Sequence, residues 1–227
     1  MNQRTTIARA PRLVIFDCDG VLVDSEPISN RVLAIDISAA GWPMTTAQCI
    51  ARFKGGQLIE VQREVERHLG VSLGETWLAV HYERMFDAFR KEITAIPGVL
   101  DVLDMLKAQN IPFCVASQGP LRKMQITLGA TGIWPLVEGH VYSADMVERP
   151  KPAPDLFLHA ARSEGFEPAH CIVIEDSATG VRAACAAGMR VVGYGAEETE
   201  ALAAAGAGSI ISDMASLMPL ILRGEIA

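Results

Sequence analysis

Two aspartates one residue apart, Asp17 and Asp19, close an apolar run in the stretch IFDCDGVLVDSE at 15–26. Asp24 and Glu26 follow them with no basic residue in between. Crowded carboxylates repel one another, so each is retained at a cost in free energy that positive charge elsewhere must offset. In an extended chain, residues i and i+2 return to one face roughly 6.5 Å apart. Such a pair can work on two sides of one reacting group: one carboxylate attacks, and the other supplies a proton to the leaving oxygen and later takes one from water. Gly20, directly after the pair, leaves the backbone free to bend. Further along, Ser117 ends FCVA and is followed by Gln118; Lys151 sits in RPKPAPDLF; Glu175 and Asp176 end IVI. Pro150, Pro152 and Pro154 restrict the loop that carries Lys151. The acidic excess therefore has two possible neutralisers, one lysine and a divalent cation.

These residues need a frame that brings distant segments together. The runs LVIF (13–16), FCVA (113–116), IVI (172–174), RVVGY (190–194) and SIIS (209–212) are short, rich in Val and Ile, and non-alternating. That pattern belongs to strands buried on both faces of a parallel sheet. Helix-like stretches such as GVLDVLDMLKAQN and SATGVRAACAAGM lie between them, the second with small residues that permit close packing on a sheet. The expected fold is α/β, a doubly wound parallel sheet core. Residues 26–94 break this rhythm: Leu58, Val61, Val65 and Leu69 share one helical face, and Leu78, Tyr82, Met85 and Phe89 another. The expected organisation is a core at 1–25 and 95–227 with an all-helical cap domain inserted at 26–94. In a parallel sheet the carboxyl ends of the strands share one edge, so Asp17, Ser117, Glu175 and Asp176 should converge there.

Taken together, DCDGVLVD, the strand-end Ser117, PKPAPD and IEDSATG resemble the four motifs of the haloacid dehalogenase superfamily, in the form its phosphatases and phosphomutases use. The resemblance runs over nearly the whole chain, in order, with a helical insert between the first two motifs. It implies that Asp17 is a nucleophile forming an aspartyl-phosphate and that Asp19 is the acid and base. It also implies Mg²⁺ as cofactor, held by Asp17, the Asp19 carbonyl and Asp176, with Glu175 binding directly or through water. Lys151 would hold Asp17 and a phosphoryl oxygen, and Ser117 another. In similar enzymes a loop of the cap reads the substrate; ARFKGGQ at 51–57 offers Arg52, Lys54 and Gly55 for this, with Gln118 from the core. Two cations there favour a sugar phosphate or phosphorylated sugar acid.

The remaining sequence narrows the field. A net charge of −7 with 20 scattered Lys and Arg gives no nucleic-acid footprint and no membrane-binding face. MNQRTTIARAPRL lacks the apolar core of a secretory signal, and no run is long enough to cross a bilayer. A cytoplasmic monomer acting on a small phosphorylated molecule is the expectation. The five cysteines are widely spaced and read as reduced, with Cys18 an inert filler. Asp24 or Ser25 is expected to cap the helix that follows, and Asp155 to start another. The five histidines and three tryptophans read as surface, helix or packing residues. The alternative function is a phosphomutase of the β-phosphoglucomutase type, but Ser29 stands where those mutases carry a histidine. Dehalogenases and phosphonoacetaldehyde hydrolase lack the second aspartate, which Asp19 supplies. From another class, a non-catalytic phosphoacceptor or phosphate-binding signalling protein uses similar residues without a helical insert.

Overall fold

The computed structural model describes residues 12–53, 56–196 and 198–224. The chain forms two compact units, Met1–Val23 with Ala95–Ala227 and Asp24–Thr94. The first unit is built on strands β1 (Leu13–Phe16), β2 (Phe113–Ser117), β3 (Val141–Ser143), β4 (Cys171–Glu175), β5 (Arg190–Tyr194) and β6 (Ser209–Ile211). All pair in parallel in the order β3-β2-β1-β4-β5-β6. Helices α1 (Glu26–Ala39), α2 (Thr46–Phe53), α3 (Leu58–Leu69) and α4 (Trp77–Glu92) make the second unit. In the first, α5 (Val99–Ala108), α6 (Leu121–Ala130), α7 (Trp134–Val137), α8 (Asp155–Ser163), α9 (Ala178–Ala186), α10 (Thr199–Ala205) and α11 (Leu217–Arg223) join and flank the strands.

Every residue of β1 and β4 is buried, which explains why their sequences do not alternate. The winding reverses between β1 and β4, where Leu13–Phe16 pairs in register with Cys171–Ile174. Crevices form at such a switch point, outside the carboxyl ends of the strands. Leu156, Phe157, Ala160 and Ala161 of α8 and Val181, Ala183 and Ala184 of α9 share one apolar cluster with Leu13, Ile15, Cys114 and Val173. The alanines of α9 carry little bulk, so its axis can lie near the sheet. The sequence reading did not find β3: three residues, VYS, are too few to show a pattern. Asp155 does begin α8, where Arg149 grips it with both arms (3.0 and 2.9 Å).

In the second unit Leu33, Ala34 and Ile37 of α1, Cys49 and Phe53 of α2, and Val61 and Val65 of α3 form the apolar interior. Ser25 occupies the N-cap position of α1, but its side chain makes no capping bond. The buried face of α4 carries His81 beside Met85, Phe86 and Phe89. His81 Nδ1 lies 2.7 Å from the buried Asp36 Oδ2, and Arg84 pairs with the other Asp36 oxygen. A histidine read as a plain helix residue is thus part of a buried polar cluster.

Candidate active site

The site begins where β1 ends. Asp17 follows Phe16 and is 7% exposed. Lys151, reaching in from a segment 134 residues away, donates to Asp17 Oδ1 at 2.6 Å, to Glu175 Oε1 at 2.8 Å and to the Ala116 carbonyl at 3.1 Å. Three strand ends, those of β1, β2 and β4, are therefore joined through one ammonium group. Burial opposes its charge, yet Asp17 and Glu175 carry its pKa above the ordinary lysine value. Its loop is fixed from below: Gln118 Oε1 accepts the Lys151 backbone N–H at 3.0 Å. Gln118, expected to touch substrate, is spent in part on holding the lysine segment.

Burial raises Asp17 to a pKa of about 7, against the opposing pull of Lys151 and with the help of Glu175 and Asp19. The lysine is shared between two carboxylates and does not fully offset the negative charge around Asp17. Cys18, between the aspartates, is buried, and burial together with Asp19 and Asp17 pushes its thiol well above the ordinary range, in keeping with an inert filler. All five cysteines are free thiols.

Glu175 departs from its expected place. Oε1 faces Lys151, and Oε2 accepts the Ser177 backbone N–H (2.8 Å) and hydroxyl (2.9 Å). It is 1% exposed, with one oxygen engaged by the lysine and the other by Ser177. Ser177 in turn caps α9 by accepting from Gly180 N–H at 3.0 Å. Asp176 leans onto the turn after β1: a Cβ on Gly20 would stand 1.9 Å from Asp176 Oδ2, and Gly20 has φ +73°. Only glycine meets both conditions. Asp17, Asp19, Ser117, Lys151, Glu175 and Asp176 all belong to the first unit.

Ser117 is 1% exposed, and its Oγ accepts the Gly119 N–H at 3.1 Å. Asp19 is held by a residue the sequence reading missed: Lys123 Nζ lies 2.8 Å from each Asp19 oxygen. Burial opposes the Lys123 charge, but Asp19 raises its pKa overall. One signal was available. Lys123 falls in the first turn of α6, the end of a helix where a cation is disfavoured by the backbone dipole. Arg52 lies in the second unit, paired with Glu64 at 2.5 Å and placed 5.0 Å over the Trp42 ring. Lys54 and Gly55 lie outside the described residues. Among the described residues no group of three or more His, Cys, Asp or Glu side chains is arranged to hold a metal ion. No described helix is long and apolar enough to cross a membrane.

Residues 11–188 match the model of the haloacid dehalogenase-like hydrolases. The 6-phosphogluconate phosphatase of Escherichia coli (strain K12) is 35% identical over 182 residues, covering 78% of this chain and 80% of that protein. Hexitol phosphatase A of the same organism is 31% identical over 185 residues, 80% of this chain and 82% of its own. Among solved structures, a HAD family hydrolase from Deinococcus radiodurans R1, with bound phosphate and sodium, superposes with a TM-score of 0.79. It is 30% identical and covers 96% of this chain and 99% of that one.

Proposed function

The chain belongs to the haloacid dehalogenase-like hydrolases, and from that premise we propose that it is a Mg²⁺-dependent phosphatase working through an aspartyl-phosphate on Asp17. The observation that carries this is the convergence on Lys151: one buried ammonium draws together the ends of three strands and holds Asp17, with Glu175 beside it, at the switch point.

Asp17 attacks phosphorus while Lys151 holds the other side of its carboxylate and offsets part of the charge gathered there. Asp19, two residues on, is the group that protonates the leaving oxygen and then takes a proton from the hydrolytic water. Ser117 and the backbone amides at the end of β2 bind phosphoryl oxygens. Glu175 keeps Lys151 in place.

The donor set suits a hard cation. Mg²⁺ commonly takes one or two carboxylates and completes its octahedron with water and phosphate. Here the Asp17 and Asp176 carboxylates and the Asp19 carbonyl would hold it, and Lys151 alone does not offset the charge of Asp17 and Glu175 around it. When bound, the ion would supply charge neutralisation for attack by an anion on a dianion.

For substrate, the names of the two bacterial relatives point to phosphate on a polyhydroxy alkyl chain, a hexitol phosphate or a phosphorylated sugar acid. Arg52 and Lys54 in the second unit are the proposed readers of the distal end. Inorganic phosphate release from a panel of such esters tests the reading. Asp17→Asn should abolish release while keeping the fold by circular dichroism. Near-wild-type turnover in that variant removes the covalent mechanism, and interconversion of two sugar phosphates without phosphate release would mark a mutase.

A further inference from the structure

We propose that Lys123 is a positioning residue that orients the Asp19 carboxylate for the second half of the reaction, cleavage of the aspartyl-phosphate by water. The proposal rests on the roles assigned to Asp17 and Asp19 above and adds to them a residue that neither the motifs nor the comparisons single out.

Both Asp19 oxygens lie 2.8 Å from the same Nζ, so the ammonium straddles the carboxylate and fixes the rotation of its plane. The Asp19 side chain is 27% exposed beside a glycine turn, and the ammonium restricts its rotamers. Lys123 itself has little freedom, with 16% side-chain exposure. Its stem runs over Gly119, where an added Cβ would stand 3.3 Å from Lys123 Cδ and 3.7 Å from Asp19 Oδ2. That turn is braced: Ser117 Oγ accepts the Gly119 N–H at 3.1 Å, and the Ser143 hydroxyl, at the end of β3, donates to the Gly119 carbonyl at 2.9 Å. The chain thus places a lysine at the dipole-disfavoured end of α6, buries most of it and anchors its base, all in contact with one carboxylate.

Chemistry accounts for that investment in geometry. Water oxygen bonds to phosphorus as its proton passes to Asp19. The bond from phosphorus to Asp17 breaks with its electron pair returning to the Asp17 carboxylate, and inorganic phosphate leaves. Asp19 afterwards gives the proton to solvent. A general base must stand within hydrogen-bond reach of the water, and a displacement of ~1 Å can cost on the order of 100-fold.

The test uses p-nitrophenyl phosphate, whose leaving group departs with little need of a proton. Its kcat/KM reports attack by Asp17 alone, and kcat includes hydrolysis of the phosphoenzyme. In Lys123→Met, kcat should fall about 10- to 100-fold, KM should fall in parallel, and kcat/KM should stay within about 3-fold. A burst of p-nitrophenolate comparable to the enzyme concentration should appear. Gly119→Ala, which crowds the lysine stem and keeps the backbone bonds, should move the same parameters less far and serves if Lys123→Met does not fold. A joint fall of kcat and kcat/KM, or no change in either, overturns the proposal. If the wild-type protein releases no p-nitrophenolate, the phosphatase reading is what fails.

Discussion

Gly180→Ala sets two expectations of opposite sign against each other. Gly180 is a helical residue of α9 with no positive φ, and an alanine there should favour the helix by up to about 1 kcal/mol. The packing predicts the reverse. An added Cβ would fall 1.6 Å from Glu175 Oε1 and 1.9 Å from Glu175 Cδ, inside the carboxylate. Glu175 cannot step aside without leaving Lys151 (2.8 Å) or the Ser177 N–H and hydroxyl (2.8 and 2.9 Å). Hydrogen bonds to a charged group contribute about 1.5–3 kcal/mol each. Loss of two, less the helical gain, leaves a destabilisation of about 2–5 kcal/mol. If α9 backs away instead, Val181, Ala183 and Ala184 lose their packing on the sheet, at a similar cost. For a chain of this size each kcal/mol moves Tm by about 2–4 °C, so the variant should melt about 4–20 °C lower. Gly129→Ala is the control: Gly129 lies in α6 with nothing within 4 Å of an added Cβ, and the substitution should hold or raise Tm. Thermal melts of the three proteins in one buffer suffice. If Gly180→Ala melts at or above the wild type, Glu175 does not occupy that space, and the support assigned to Lys151 goes with it.

Two further outcomes follow from the site. Chelation with EDTA should remove phosphatase activity and Mg²⁺ should restore it; activity that survives exhaustive chelation separates the reaction from the Asp17, Asp19 and Asp176 donors. Replacing Arg52 and Lys54 together by Ala should raise KM for a sugar phosphate at least about 10-fold, as loss of a charged contact does, with KM for a small aryl phosphate changed far less. Equal changes would take both residues out of substrate recognition.

What the sequence made legible depended on how many residues shared one constraint. Strands β1 and β4 are buried throughout, and β2 and β5 at all but their end residues, so nearly every residue reports the same environment and the pattern survives reading. Strand β3 has three residues and reported nothing. Lys151 was legible because three prolines framed it; Lys123 looked like any lysine on an amphipathic helix, since its partner lies 104 residues away. Glu175 was read as a cation donor through its adjacency to Asp176. Successive residues of an extended chain point to opposite sides, and this pair divides accordingly. Glu175 turns in toward Lys151, while Asp176 leans onto Gly20. In the helical unit, the apolar period foretold the interior but not the Asp36–His81 pair within it, because two polar residues 45 positions apart carry no joint signal in one sequence.

Why should a nucleophile share its lysine? A one-to-one pair between Lys151 and Asp17 would hold the carboxylate ionised but would also bind its electrons tightly and lower its reactivity toward phosphorus. Glu175 divides the ammonium's attraction and stands within its reach at nearly the same distance, 2.8 Å against 2.6 Å. Burial raises Asp17 to about 7 even with Lys151 in contact, and the Glu175 charge adds to the rise. Glu175→Gln tests the sharing: with one counter-charge gone, Lys151 should hold Asp17 ionised to lower pH in the absence of metal. If the titration of metal-free Asp17 does not move in this variant, the sharing argument fails.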